Sequence, residues 1–446
     1  MPFVPIRFIH ASNLRLDHQP QGVGAVSKES QISLEDCTLI TFQEIVKACL
    51  EHEIDFLLLS GNTFINEDHS IRARIALLDG FQQLASENIQ VFVIPGQHDP
   101  LSAWDLQSNW PGNVTFLSPQ DHDTLDILRN EETIATLQIL GAAHLKKQQP
   151  LKLNQRNQLF NQDDQRALSI GLIAANSSVQ SADHYGESNQ SIPLTLSGDF
   201  LPANWQADEI NEVAVDYIAL CKGTQRHTFE MHPGLAHHPG TSQGLNYDEH
   251  KQTGVTLVTV EPEAKLDLRL LKVAAVRWLA IELDLEPETT SKQLKQLMKE
   301  ALLSQKSAGH ETLWMVRWHM KGSGELFDSL RSFKHQGEWS RELAIEIKDR
   351  LSVMLEQAFY LQYRDAHSSR TTSDLVHRFQ QQIEAFKQET DSSLKQLITH
   401  TTQLDQTWHE RLGSLTEQID EQTIFNSAIR NGQTWLNITS DEEVHS

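Results

Sequence analysis

The chain has 446 residues, enough for two or three domains, and its 60 acidic against 37 basic residues give a net charge of −23. This acidic excess disfavours strong non-specific DNA binding by the chain alone, because affinity depends on how many phosphates meet Lys and Arg. A local basic groove, or DNA binding shared with a partner, stays open. No apolar run is long enough to span a membrane, and no signal peptide is evident. Three scattered cysteines suit neither a disulfide framework nor a zinc site, so we expect a cytoplasmic protein.

The N-terminal part of the chain predicts strands that alternate with helices. Apolar runs predict strands, and hydrophobic residues at helical spacing predict helices, in the order 3–10, 38–52, 54–62, 70–87 and 89–99. Strands connected in this way form a parallel sheet. Because ligands bind beyond the carboxyl ends of such strands, the polar loops 11–17, 60–66 and 95–100 should converge on one rim.

Later segments predict two further parts of the chain. Shorter strands complete a first domain over 1–265, at 135–143, 167–178, 215–223 and 256–261. A small α/β domain follows over 266–336, and 337–446 is predicted to be helical, with no proline after Pro287. Apolar residues between Val376 and Ile419 step by three and four. Two interpretations stay open for them: a hairpin packed on its own domain, or a coiled coil that binds a partner or forms a homodimer.

The three loops, "HASNLRLD", "LLLSGNTF" and "VIPGQHDP", follow a recognisable order. This order resembles the calcineurin-like metallophosphoesterase superfamily, whose members read D-x-H, then G-D, then G-N-H-D/E, then H, then G-H-x-H. Within that superfamily the segments "IHASNLRLD", "VDYIAL" and "LAHHPGTSQG" are most similar to the SbcD-type DNA repair exonuclease branch. The resemblance covers about residues 6–262. It implies a four-layer α/β/β/α sandwich, followed by a small α/β capping domain and the helical region.

The resemblance also implies a function. Members of that branch hydrolyse phosphodiesters at DNA ends with two divalent cations, usually manganese, and work with an SMC-like ATPase of the SbcC type. Two neighbouring dications repel each other unless carboxylates offset their charge, and they then activate water and clamp the phosphate. This chemistry explains the Asp, Asn and His ligands of the family motifs.

This sequence departs from the family pattern at nearly every ligand position. The replaced positions carry Asn13, Arg15, Asn62, Gln97, Asn176, Lys222 and Thr224. Two Asp-to-Asn changes remove negative charge, and Arg15 and Lys222 add positive charge. Binding of a dication would therefore be disfavoured electrostatically by roughly several kcal/mol, even at a high effective dielectric. The changes therefore predict a catalytically weak or inactive homologue. The alternatives are an active phosphodiesterase with a single-metal or non-standard site, and a non-catalytic assembly protein of DNA repair.

A few residues remain as candidates for a functional site. His98 and Asp99 match the family motif unchanged, and His98 would protonate the leaving group or orient phosphate if the chain is active. Arg15 and Lys222 could together bind phosphate without catalysis, or they could form an internal ion pair with Asp17 or Asp99. The neighbouring histidines of "LAHHPG" are expected to be structural, because adjacent residues on a strand point to opposite faces.

Overall fold

A computed structural model describes residues 5–104, 109–117, 124–140, 167–173, 215–231, 234–261 and 265–363. The first sheet has six strands in the order β12-β11-β1-β2-β3-β4. Its strands are β1 (Ile6–Ser12), β2 (Phe56–Ser60), β3 (Gln90–Ile94), β4 (Val114–Phe116), β11 (Val255–Val260) and β12 (Leu266–Leu271). Strands β1 to β4 are parallel, as predicted, whereas β11 and β12 are antiparallel additions.

Two long helices pack on the outer face of this sheet. Helix α1 (Lys28–Glu51) and helix α2 (Ile71–Ser86) begin at Ser27 and Ser70, whose hydroxyls cap the first turn. Their apolar faces, with Phe42 and Phe81, form one core with the sheet. Helix α1 begins ten residues before the predicted start at 38, because the polar segment around 28–37 buries only a few residues and so lacks a clear hydrophobic pattern.

The second sheet faces the first across an apolar interior. Its order is β5-β6-β7-β8-β10-β9. The strands are β5 (Thr124–Arg129), β6 (Glu132–Leu140), β7 (Leu168–Ile173), β8 (Tyr217–Leu220), β9 (Arg226–Glu230) and β10 (Leu235–Pro239). Phe8 and Phe56 of the first sheet meet Tyr217 of the second in the core between them. The described residues thus show a mixed α/β fold with three of the four predicted layers. The prediction of a second helical layer falls outside them.

A three-stranded sheet, β13 (Val276–Leu285), β14 (Leu313–Gly322) and β15 (Met354–Tyr363), builds the small α/β unit. It is accompanied by α4 (Ser291–Leu303), α5 (Glu325–Ser329) and α6 (Phe333–Ile347), while the short α3 (Leu101–Trp104) belongs to the first core. Gln243 connects the small unit to α1, because its amide oxygen accepts from Thr41 and from the backbone of Val276. None of the described helices is long and apolar enough to cross a bilayer.

Two predicted segments differ from the structure. Residues 354–363, predicted to be helical, form β15, and the sequence "MLEQAFYLQY" carries the aromatic and alternating residues of a half-buried strand. Strand β12 pairs with β11 in the first sheet, so the predicted boundary at 265/266 falls between two paired strands. The helical prediction beyond 363, with its spaced apolar residues, lies outside the described residues.

Candidate functional site

The three predicted loops meet at the carboxyl ends of β1, β2 and β3, as predicted. Backbone N–H groups of Asn13, Arg15 and Leu16 donate to carbonyls of 61–63, at 3.2, 3.0 and 2.9 Å. We call these three loops, together with the 221–227 segment, the rim. Asn13, Arg15 and Asn62 have φ near +50°, a left-handed conformation that Asn adopts more readily than most residues. The first two loops are therefore joined along their backbones.

The side chains of Asn13 and Asn62 form a chain of hydrogen bonds across the rim, here called the amide ladder. Asn13 Nδ2 donates to the carbonyl of Gly223, and Asn62 Nδ2 donates to Asn13 Oδ1 at 2.9 Å. Asn62 Oδ1 in turn accepts from the backbone N–H of His98 at 3.3 Å. The end partners fix the orientation of both amides, because a carbonyl only accepts and an N–H only donates.

Asp99 connects the second and third loops from below the ladder. Its Oδ1 accepts from the N–H groups of Asn62 at 2.9 Å and Gly96 at 2.7 Å, and its Oδ2 accepts from Thr63 at 3.0 Å. Burial raises the pKa of Asp99 to about 7, opposed by these backbone donors. The carboxyl is fully buried, and both of its oxygens accept hydrogen bonds from the backbone. Its geometry therefore suits a role in positioning the loops.

Arg15 is held by an acidic residue that sequence reasoning did not identify. Its guanidinium donates to both carboxylate oxygens of Glu249, at 2.9 and 2.5 Å, and to the carbonyl of Gln243 at 3.2 Å. Only 13% of the Arg15 side chain and 7% of the Glu249 side chain are exposed. The internal ion pair predicted for Arg15 therefore exists, but the predicted partners Asp17 and Asp99 were wrong. Asp99 accepts hydrogen bonds from the backbone instead. Asp17 accepts a hydrogen bond from the Ser70 hydroxyl and forms an ion pair with Arg72.

The other candidate residues spread around the rim. His98 is half-buried, and its imidazole makes no hydrogen bond to a described residue. Gln97 and Thr224 are exposed, and Lys222 is partly buried beside the Gly223 carbonyl that ends the ladder. Asn176 lies outside the described residues. The structure thus brings Asn13, Asn62 and the His98 backbone together, with Arg15 turned toward Glu249.

A buried polar cluster lies between the two sheets, close to the rim. His10 bonds to the Tyr217 hydroxyl and to Ser60 Oγ, both at 2.7 Å, and His237 bonds to Thr228 and Thr256, both at 2.8 Å. Burial lowers the pKa of His10 well below its usual range and that of His237 to about 2. These imidazoles are neutral and satisfied by hydroxyls, which fits the structural role expected for the histidine pair.

His238 lies at the rim end of this cluster. Its Nδ1 lies 3.1 Å from the Gln225 carbonyl, and its Nε2 lies 3.5 Å from Ser12 Oγ. Burial lowers its pKa to about 4. A histidine inside the apolar run "FIHAS" could have signalled the cluster from sequence, whereas Glu249 offered no such signal.

The rim residues do not fit a pair of divalent cations. Divalent cations need anionic or lone-pair donors directed at them. The side-chain nitrogens and oxygens of Asn13 and Asn62 are instead all engaged in the hydrogen bonds of the amide ladder. The Arg15 guanidinium has no lone pair to offer a cation, and it is bonded to Glu249. Among the residues that the structure describes, no group of three or more His, Cys, Asp or Glu side chains could hold a metal ion.

The sequence also resembles that of one curated protein. The chain is 23% identical over 306 residues to the uncharacterized metallophosphoesterase YhaO of Bacillus subtilis strain 168, which spans 68% of this chain and 69% of that protein. No family model matches the chain. The order of the rim loops and this similarity both point to the calcineurin-like metallophosphoesterase superfamily.

Two solved structures share low overall similarity with this chain. GAP50, the anchor in the inner membrane complex of Plasmodium, is 11% identical with a TM-score of 0.36, over 61% of this chain and 85% of that one. The protein TT1561 of Thermus thermophilus is 10% identical with a TM-score of 0.31, over 60% of this chain and 99% of that one.

Proposed function

We propose that this chain is a non-hydrolytic member of its superfamily, which acts by binding or assembly rather than by phosphodiester cleavage. The amide ladder from Gly223 through Asn13 and Asn62 to His98 carries this proposal. In an active relative, carboxylates at positions 13 and 62 would repel each other unless cations lay between them. Here the two amides bond to each other directly, so the rim is held together without a cation.

The Arg15–Glu249 pair supports the same conclusion. A phosphate would have to compete with a carboxylate that already accepts two hydrogen bonds from the guanidinium, in a largely buried setting. His98 could still donate to a leaving group, but an isolated acid without an activated nucleophile does not hydrolyse a phosphodiester at a useful rate. The rim therefore keeps His98 and Asp99 of the family motif, with Asp99 bonded to the backbone, and carries other residue types at positions 13, 15, 62 and 97.

The proposal also includes the branch of the superfamily, the SbcD-type exonucleases, and the partner that this branch implies. A small α/β unit follows the phosphoesterase fold, in the order found in SbcD-type exonucleases, and a shared descent with that branch would supply an SMC-like ATPase as the partner. Gel filtration of the chain with such an ATPase from the same cell, with and without DNA, tests the association. Separate elution under both conditions would remove the partner from the proposal.

Metal analysis with a hydrolysis assay tests the main proposal. We expect purified chain from manganese-supplemented cells to carry less than one metal ion per molecule and to cleave bis(p-nitrophenyl) phosphate at background rate. Two tightly bound metals with chelator-sensitive turnover would overturn it. The His98→Ala variant is the control for contamination, because turnover that belongs to this chain falls in the variant and contaminating turnover does not.

A further inference from the structure

Strand β15 forms one edge of the three-stranded sheet of the small α/β unit. In the part of the chain that the structure describes, no strand pairs with its outer side. Its ten residues, "MLEQAFYLQY", include one charged side chain, Glu356, and neither proline nor lysine. Glu356 accepts a hydrogen bond from the backbone N–H of Ser27 at 3.1 Å, so even this charge is engaged with the first domain. The edge is therefore long and almost uncharged.

The other edge strands of the three described sheets carry devices that discourage pairing with another chain. Natural proteins protect such edges by shortness, charge, proline or a bulge, because an unpaired row of N–H and C=O groups can recruit an extended chain. Strand β4 has only three residues, and β5 is interrupted by a bulge between Ile127 and Leu128. Strands β9, β12 and β13 carry charged residues, which are Arg226 and Glu230, Asp267 and Arg269, and Arg277, Glu282 and Asp284. Among the described edges, β15 has the weakest protection.

Apolar side chains on both faces of β15 stop short of full burial. Gln357 donates to the carbonyl of Ser340 on α6 at 3.0 Å, so the odd-numbered residues of β15 face the helices. Phe359 on that face is only half-buried. Tyr360 on the opposite face is 59% exposed, with its ring 5.2 Å from that of His319. None of the ten residues is fully buried, whereas seven of ten are in the central strand β14, so a further strand beside β15 would cover apolar surface.

We propose that β15 pairs with β15 of a second copy of this chain, antiparallel about a twofold axis, to form a continuous six-stranded sheet. Antiparallel pairing uses the backbone groups of both edges, and the twofold axis closes the assembly at two copies. The outer edges of the combined sheet are then the two copies of β13, whose charged residues discourage further growth. This self-limiting closure favours a second copy over an extended segment of another protein.

The sequence of β15 suits pairing with itself. In the register centred on Phe359, the two copies of this residue face each other, and an aromatic cross-strand pair is stabilising. Ala358 then faces Tyr360, so that a small side chain lies beside a large one, and Glu356 faces Gln362, so that no like charges meet. The pairing does not involve the rim, and it holds whether or not the rim hydrolyses anything.

Sedimentation velocity of the full chain over the micromolar range tests the proposal. We expect a species of twice the 50.6 kDa mass of the chain. The double variant Ala358→Lys/Tyr360→Lys brings like charges opposite each other, and it should raise the dissociation constant of the dimer at least about tenfold. The double variant Ala358→Glu/Tyr360→Glu should do the same. An equimolar mixture of the two variants should dimerise again, because lysine then faces glutamate, and this recovery also shows that both variants are folded.

The matched control is the double variant Leu297→Lys/Ile345→Lys, which adds the same charge at exposed apolar positions on α4 and α6 of the same unit. It should dimerise as the wild type does. A monomeric wild type, or an equal loss in the control, would overturn the proposal. A dimer that both the lysine and the glutamate variants leave intact would assign dimerisation to another surface and overturn it as well.

Disulfide cross-linking tests the register. Phe359→Cys should give a covalent dimer under mild oxidation with copper phenanthroline, because directly opposite residues of antiparallel strands have Cα atoms about 5 Å apart, within disulfide reach. Leu361→Cys should give little, since position 361 faces position 357 of the second copy. The three native cysteines are buried and do not compete. Equal cross-linking at both positions, or none at 359, would overturn this pairing.

Discussion

The side chains of Asn13 and Asn62 share a hydrogen bond of 2.9 Å, at the two positions that the loop motifs align with metal-binding aspartates of the superfamily they resemble. The pairing works only with amides, because each side chain must donate to one neighbour and accept from another. Two aspartates would present oxygens to each other and to the Gly223 carbonyl. The two substitutions therefore support each other, and neither is a neutral replacement in this rim.

Asn62→Asp should destabilise the protein by about 2–3 kcal/mol at neutral pH, since a carboxylate oxygen would face Asn13 Oδ1 with no proton between them. The loss should shrink in acid, because a protonated carboxyl can donate where the amide did. Urea unfolding of variant and wild type at matched pH values measures the difference. Asn88→Asp is the matched control, as Asn88 is exposed and has the same left-handed backbone, φ 58°. A similar loss in both variants would contradict the ladder.

Arg15→Gln should cost about 3–5 kcal/mol, because it leaves Glu249 buried without its counter-charge. The double variant Arg15→Gln/Glu249→Gln should be more stable than Arg15→Gln alone, and the coupling is measured by a double-mutant cycle. Arg72→Gln serves as the comparison, since 52% of that side chain is exposed and its loss should cost no more than about 1 kcal/mol. Additive losses at 15 and 249 would mean that the pair contributes little.

The rim shows which features the sequence predicts and which depend on the folded structure. The convergence of the loops is predictable, because apolar strands that alternate with helices form a parallel sheet. The loops after these strands then lie at the same edge of the sheet. The partner of Arg15 is not predictable, since Glu249 is 234 residues distant and only the folded backbone brings them together. Strand β15 differs for another reason: the lack of proline after Pro287 suggests a helix, although the alternating residues of this segment favour a strand.

Gly96→Ala should destabilise the rim by more than about 2 kcal/mol. A methyl group at this position would lie 2.6 Å from Asn62 Oδ1 and 2.8 Å from Asp99 Oδ1, and it would meet the backbone nitrogen of Asn62 even more closely. These atoms belong to the ladder and to its support, so they cannot yield without losing hydrogen bonds. Gly112→Ala is the control, because nothing lies within 4 Å of its added carbon. Equal melting temperatures for both variants would contradict this packing.

Stability should fall steeply as pH drops below 6.5, because of three buried histidines. Burial depresses the folded-state pKa of His10, of His237 to about 2 and of His238 to about 4, so each contributes stability above pH 6.5 that is lost as the pH falls. Asp99 acts in the opposite direction. Its pKa rises from 3.8 to about 7, so its contribution is present below 3.8 and is lost as the pH rises through 7.

Between about pH 5 and 6, unfolding lets the three imidazoles each take up a proton and makes the Asp99 carboxyl release one. The net uptake on unfolding is therefore about two protons. At about 1.36 kcal/mol per proton, the four groups together give a slope of about 3 kcal/mol per pH unit. His237→Gln should lower this slope by one proton, and Asp99→Asn should raise it by one, whatever either does to stability at pH 7. Urea titrations across this range measure the slopes, and unchanged slopes would assign the proton uptake to other groups.

The double variant Asn13→Asp/Asn62→Asp should acquire a dependence on manganese that the wild type lacks. Without a divalent cation, two carboxylates would face each other across the distance now bridged at 2.9 Å, and the melting temperature should fall. Manganese should restore part of the loss by binding between them, whereas neither manganese nor a chelator should move the wild-type melting temperature. The single variant Asn13→Asp is the control, since one carboxylate offers the cation less compensation. A loss in the double variant that manganese leaves unchanged would mean that positions 13 and 62 no longer enclose a space that a cation can enter.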